Sequence, residues 1–396
     1  MAATRQEDEV DKELAAKDGL IEQSKGPNCR HNNRSKCSHC LPLDPYDPAY
    51  LASKEIKHMS FHAYLRKIKA SSARGRSSNL SYPLTNPVCR VKKCSGHAPY
   101  PAAICVKCQP DPIILARQEF RHVDNISFEN KDVVDKFLDF WRKSGGSQRV
   151  GFLLGRYEEY KDVPLGIRAN VAAIFEPPQE CCPDKVSVDR LEGNPEWRQK
   201  MEEVCESLSI RPLGWILTDL VQLPDGKFHH SRNALTSYLV SAQEVITAAT
   251  LQLRYPNVSK LSEDGLFGSK FVTVIVSGDE KGEMEFRGWQ MSNQAMALVR
   301  DGWLVPSAGL PDKGYVRDNE KCVPDVKYSK KDEYGNSVVN DARPFPVDYL
   351  LVDVPAGLSA APSHSFNPIP AKPSFPIENR EPIHQIQAAL PRTLAQ

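Results

Sequence analysis

No stretch of 18 consecutive apolar residues occurs in the 396-residue chain, so nothing in it is long and apolar enough to cross a bilayer as a helix. The first 19 residues, MAATRQEDEVDKELAAKDG, lack the apolar stretch of a secretory signal, which predicts a reducing compartment. Net charge is nearly absent as well, with 51 Lys plus Arg against 50 Asp plus Glu. A hydrophobic fraction of 40% beside 26% charged residues excludes collagen, a disordered polyelectrolyte and a membrane bundle. The length fits two or three units of about 100 to 200 residues each. One absence is local. From Lys25 to Cys108 only Asp44, Asp47 and Glu55 oppose 15 Lys plus Arg, so that segment carries +12 and the rest of the chain −11.

What is present concentrates in the same segment. Seven of the 11 Cys, at 29, 37, 40, 89, 94, 105 and 108, lie within it. They form two groups with one ligand order, Cys29-x-His31 with Cys37-x-x-Cys40, and Cys94-x-x-His97 with Cys105-x-x-Cys108. Zinc takes four N or S ligands in a tetrahedron, and a Cys-x-x-Cys turn presents two thiolates to one metal with little strain. Three Cys and one His per group therefore predict two structural Zn2+ ions with closed shells. Pro27, Pro42 and Pro110 beside the pairs speak against a thioredoxin-like strand-to-helix junction. Cys89 is a spare thiol able to replace Cys94, and His39 is expected to face solvent. His58 and His62 have the spacing of a zinc-protease helix, but Met59 stands where that motif needs its Glu, so packing or a surface position is expected.

The chain divides by composition. Residues 1–28 have helical spacing at Val10, Leu14 and Ile21 with little apolar area, which predicts a linker with a marginal helix. Residues 29–125 form the Cys-rich module, with a helix expected in IKHMSFHAYLRKIK that packs on the metal units. From Ile126 to residue 355 strands are predicted at RVGFLLG, IRANVAAIF, GWILTDLV, FVTVIV and MEFRGWQM. Helices are predicted at VVDKFLDFWRKSG, EWRQKMEEVCESL, SNQAMALVRD and after the Ser241/Glu244 capping box. This interleaving predicts one α/β (α+β) domain. Eight of the 31 Pro fall after Val354, so residues 356–396 are expected to be an irregular Pro-rich tail.

Several segments together resemble one family: MSFHAYLRKI (59–68), ICVKCQP (104–110), FRHVDNISFEN (120–130), FLDFWRKSG (137–145), VPLGIRANVAAIFEPPQ (163–179), LGWILTDL (213–220), FGSKFVT (267–273) and FPIENR (375–380). They are similar to the nuclear protein localization protein 4 family over about residues 10–380. The resemblance implies two zinc fingers followed by an MPN-like domain. It further implies a ubiquitin-binding adaptor that works with ubiquitin fusion degradation protein 1 on the hexameric valosin-containing AAA ATPase. Polyubiquitin chains or unfolded ubiquitin would be its ligands, and clients would pass to unfolding and proteasomal degradation, including at the endoplasmic reticulum. Cytoplasm and nucleus, with peripheral association at the endoplasmic reticulum or nuclear envelope, are the implied locations. The ubiquitin-like domain with which members usually begin and the helical region with which they usually end are not found here, which makes a weakened ATPase contact an expectation.

Active MPN isopeptidases use a Glu base on the first strand and a His-x-His pair, then Ser after seven residues and Asp after two more. Aligned on QRVGFLLG and GWILTDL, this sequence offers Gln148, then Leu217 and Asp219, then Lys227 and His230. An amide cannot take a proton from water and leucine cannot ligate, so no isopeptidase activity is expected. Trp215 and Asp219 become candidates for a ubiquitin groove, Asp219 by accepting N–H groups from an extended chain. A basic zinc-finger protein that binds nucleic acid is the competing reading of the +12 segment, although no finger spacing for groove reading is evident and no direct nucleic-acid partner is expected.

Overall fold

The computed structural model describes residues 7–25, 29, 37, 40–72, 96–98, 102–103, 105, 113–183, 185–187, 195–230, 238, 240–262, 264–317, 326–331, 337–341 and 344–358. Its centre is an eight-stranded sheet of β1 (Asn125–Phe128), β2 (Val150–Tyr160), β3 (Gly166–Phe175), β4 (Arg211–Thr218), β5 (Val272–Gly278), β6 (Met284–Met291), β7 (Leu351–Val354) and β8 (Ala356–Leu358). The order across the sheet is β7-β6-β5-β4-β2-β3-β1-β8, with β5–β4, β3–β1 and β1–β8 parallel and the other pairs antiparallel. Only Pro355 separates the first strand in that order from the last. Val354 pairs with Gly288 on β6, Ala356 pairs with Ile126 on β1, and the Pro355 carbonyl accepts from the Ile126 N–H at 2.8 Å. The sheet therefore curls until both of its edges rest on one run of chain.

Period-two alternation supplies its two faces. Val272, Val274 and Val276 enter one apolar cluster, while Phe271 and Ile275 enter the other. Leu153 follows the first group, and Val150, Phe152 and Leu154 follow the second. The first face is covered by helices α1 (Glu9–Ala16) and α4 (Lys131–Lys143). The second is covered by α5 (Pro195–Ser207), α6 (Ala242–Arg254) and α7 (Asn293–Arg300). Caps set the helix starts. The Asn130 side chain accepts from the Asp132 N–H, Ser241 and Glu244 complete a capping box, and Ser292 accepts from the Ala295 N–H. Gly145 and Gly146, both at positive φ, release the chain after α4.

Two short helices complete the N-terminal side, α2 (Pro48–Ser53) and α3 (Phe61–Ser72). The predicted helix in this region begins late, because Met59–Ser60 pairs in parallel with Phe120–Arg121 before α3 starts. Met59 and Phe61 then pack with Phe120 and Phe267, so α3 rests on the sheet-bearing part of the molecule where a contact with metal units was expected.

Three other expectations change. Residues 9–16 are a docked helix within the segment read as a linker, with Val10 and Leu14 in the core. Those two side chains supply about 1.5–3 kcal/mol each, too little for eight residues that cost about 1 kcal/mol or more apiece to order, so polar contacts must contribute. The division at 125/126 falls inside the fold, since Ile113–Leu115 pairs with Val326–Lys331 and Val123 lies in the sheet core. Ala356–Leu358, expected in the tail, is β8; the remainder of that tail lies outside the described residues. Among the described residues no helix is long and apolar enough to cross a membrane.

Candidate zinc centres and the strand-end site

The first Cys group hangs from a closed base. Ile21 and Leu43 exchange backbone hydrogen bonds of 2.9 and 3.0 Å, and the intervening chain turns at Cys37, whose carbonyl accepts from the N–H groups of Cys40 and Leu41. Cys29, Cys37 and Cys40 converge there. Their Sγ atoms are 3.7 Å apart for 29–37 and for 37–40, and 2.9 Å apart for 29–40. Sulfurs at about 2.3 Å from a tetrahedral zinc would stand about 3.8 Å apart. Two of the three edges match that figure, and the third would open by less than an ångström. The thiols perturb one another: Cys29 above all, with burial and Cys37, pushes the Cys40 thiol up to about 11. Three thiolates so close need a cation between them, so the donor set fits zinc. His31, the fourth expected ligand, lies outside the described residues, as does His39.

Of the second group, His97 and Cys105 are described, while Cys94, Cys108 and the spare Cys89 are not. His97 Nδ1 donates to the Ala98 carbonyl at 2.6 Å, and its Nε2 is buried with no hydrogen-bond partner among the described residues. In a neutral imidazole an Nδ1–H spent on a carbonyl leaves the lone pair on Nε2, the arrangement in which histidine ligates zinc. Among the described residues no other set of three His, Cys, Asp or Glu ligand atoms converges.

The third place of interest is where β2 begins and β4 ends. Their antiparallel register sets Val150 opposite Leu217 and brings Gln148 beside Leu220. The Gln148 amide is fully spent: Oε1 accepts from the Leu220 N–H at 3.1 Å, and Nε2 donates to the carbonyls of Leu220 and Pro183, both at 2.9 Å. The Trp141 indole N–H also reaches the Leu220 carbonyl at 2.9 Å. Leu217 is buried in the core, and Lys227 is exposed next to the short strand Phe228–His229. Asp219 and His230 do meet, with 2.7 Å between Oδ2 and Nδ1. They bond to each other across the neck of the hairpin that joins them.

The groove candidates are placed differently from expectation. Trp215 is 1% exposed and its indole N–H donates to Thr273 Oγ1 at 2.8 Å. Its register partners are Phe152 on one side and Thr273 on the other, on the face that α5 and α6 cover. Asp219 is likewise 1% exposed. The strand was read correctly, but both side chains belong to the interior, so neither offers a surface to a bound chain.

A cluster that the sequence reading did not find joins α1, α3 and the approach to β5. Asp11 accepts from His62 Nε2 at 2.9 Å and from Lys270 Nζ, and Lys270 also pairs with Asp8, which in turn pairs with Arg211. Against its burial, the neighbouring His62 and Lys270 hold the Asp11 carboxyl down at about 2. Beside it His122 is fully enclosed, and burial holds it down at about 3. His62 is thus an interior residue hydrogen-bonded to a buried carboxylate. The available signal was Lys270 itself, a cation written directly before the apolar run FVTVIV, which had to find a carboxylate.

Comparison with known proteins gives two adjoining family matches. Residues 149–394 match the family model "NPL4 family", and residues 5–145 match "NPL4 family, putative zinc binding region". The nuclear protein localization protein 4 homolog 1 of Caenorhabditis elegans is 46% identical over 395 residues, covering 97% of this chain and 73% of that protein. The Homo sapiens nuclear protein localization protein 4 homolog is 46% identical over 389 residues, covering 96% of this chain and 62% of that protein. Nuclear protein localization protein 4 of Saccharomyces cerevisiae is 39% identical over 387 residues, covering 96% and 66%. The chain thus spans between 62% and 73% of the length of these relatives.

Proposed function

The chain belongs to the NPL4 family, and from that premise we propose that it is a non-enzymatic adaptor: it binds polyubiquitin or unfolded ubiquitin and brings the attached clients to the valosin-containing AAA ATPase together with ubiquitin fusion degradation protein 1. The observation that carries the non-enzymatic part is Gln148. At the position of an MPN-type base stands an amide, too weakly basic to take a proton from water and clamped on the Leu220 backbone, and the first metal position is the buried Leu217. The sheet-bearing part is read as MPN-like on the strength of the sequence resemblance and its mixed sheet covered by helices on both faces.

Two structural zinc ions complete the reading. Cys29, His31, Cys37 and Cys40 would hold one, and Cys94, His97, Cys105 and Cys108 the other. The converged thiols and the unpartnered His97 Nε2 support it. Zinc supplies cross-linking there and no reaction. The +12 around these centres suits an acidic docking surface on the ATPase ring. Cytoplasm and nucleus, with peripheral attachment at the endoplasmic reticulum or nuclear envelope, are the proposed sites of action.

One pull-down tests the proposal. The immobilised chain is offered ATPase hexamer, polyubiquitin and duplex DNA at physiological salt, with and without ubiquitin fusion degradation protein 1. Retention of polyubiquitin together with the hexamer is the expected result. Retention of DNA alone, falling steeply as salt rises, would replace the adaptor by a nucleic-acid-binding protein.

A further inference from the structure

The first Cys group lies between two helices that meet at one carboxylate, Asp11. Before it, α1 places Asp11 on Lys270; after it, α3 places His62 on Asp11 at 2.9 Å. The side chains of Asp11, His62 and Lys270 are each 7% exposed or less. Arg66 of α3 adds a 2.8 Å bond to the Ala15 carbonyl at the end of α1, and Lys17 pairs with Glu159 of β2 at 2.7 Å. Nearer the cysteines, the Ile21–Leu43 bridge closes the chain a second time. No Cys takes part in any of these contacts.

From this arrangement we infer that the first zinc loop is held shut by a metal-independent clasp, Asp11 between His62 and Lys270 with the Ile21–Leu43 bridge, so that the loop loses and regains zinc while α1 and α3 stay docked. The inference rests on the reading of Cys29, Cys37 and Cys40 as zinc ligands. In an isolated zinc finger, metal binding provides the folding energy, and removing the metal unfolds the unit. Here the ends of the loop are brought together by the body of the protein. The closure entropy that a metal would otherwise have to overcome is already met before it binds. Loss of the ion then acts locally, and rebinding starts from thiols that are held close. A centre of this kind can be switched by a soft-metal chelator or a thiol oxidant without release of the N-terminal helices.

Zinc release from the full chain and amide hydrogen exchange decide the matter together. Zinc is withdrawn by a chromogenic chelator that counts the ions released, and exchange is followed in peptides covering residues 9–16 and 61–72 and in peptides that carry Cys29, Cys37 and Cys40. Zinc loss is expected to raise exchange in the cysteine peptides about tenfold or more and to change the two helices by less than about twofold. Equal deprotection of the helices would overturn the clasp. In the second arm, Asp11→Ala is expected to deprotect both helices with the zinc count unchanged; helices that stay protected in Asp11→Ala would also overturn it. A chain that releases no zinc sinks the ligand reading instead, and the Asp11→Ala arm still tests the clasp.

Discussion

The cysteine-bearing N-terminal side and the curled sheet reach order by different forces. The sheet is built on alternation: successive residues of β2 and β5 enter opposite apolar clusters, and each cluster is closed by helices, of which α4, α6 and α7 carry side-chain caps. The N-terminal side has a smaller apolar cluster, around Leu51, Met59, Phe61 and Phe120, and adds polar contacts to it. Its long-range polar contacts converge on Lys270 and Asp11, and three sulfurs converge beside them in the chain. A sheet of this kind tolerates the loss of one contact among many, whereas the N-terminal side depends on single residues.

The sharpest way to break this contrast is Lys270→Met. It leaves the buried Asp11 without its lysine, while Asp8 keeps Arg211, and should cost about 3–5 kcal/mol, read as a fall in the urea midpoint; a loss comparable to an average surface substitution would show that the cluster is ornamental. Acid probes the same centre. His122 at about 3 and Asp11 at about 2 both lie below their ordinary values of 6.5 and 3.8, so the unfolded chain binds the protons more readily. Stability should be whole above pH 6.5, decline below it through His122, and decline further from 3.8 towards 2 through Asp11, by about 2–3 kcal/mol from the carboxylate alone. A pH series of urea titrations on His122→Gln should lack the upper part of that slope, and one on Asp11→Asn the lower part. An unchanged slope in both would place the acid sensitivity elsewhere.

The sheet side is tested by Gln148→Glu. A carboxylate still accepts from the Leu220 N–H but cannot donate to the Leu220 and Pro183 carbonyls, so a cost of about 1–3 kcal/mol is expected. Restoring the acid without the metal ligands should give no cleavage of a ubiquitin dimer, and chelator-sensitive cleavage would refute the non-enzymatic reading. The smallest effect is predicted for Cys37→Ser. Metal analysis should show one zinc fewer per chain, while the main unfolding transition moves by less than about 1 kcal/mol; a shift of several kcal/mol would merge the two regions into one cooperative unit.

Local pattern made the sheet side readable. Five of the eight strands of the curled sheet, the Ser241/Glu244 capping box and the helix that ends at Gly145 follow from period, cap and glycine. Asn125–Phe128 and Leu351–Val354 escaped notice because short strands carry few residues of pattern. Trp215 shows the limit of placing a residue on a strand: its face is fixed by neighbours on β2 and β5 and by helices that no local window contains. The zinc candidates were readable because ligand spacing is itself local. Asp11 was not, since its partners lie 51 and 259 residues away and nothing in DKELAAKDG distinguishes a docked carboxylate from a solvated one.

The run through Pro355 carries a kinetic consequence. Residues 351–358 lay one strand on β6 and the next on β1, joining Gly288 to Ile126 across 162 residues of sequence, and β8 itself lies 230 residues beyond its partner β1. Contacts of that separation form slowly, because a long loop must be closed before they contribute anything. During synthesis the sheet stays open along this seam until Leu358 has been added, with the β1 and β6 edges both exposed. Pairing with another chain is a hazard of that interval. Once the segment is in place it occupies both edges at once, and the same few residues that delay closure then remove the edges on which aggregation would begin.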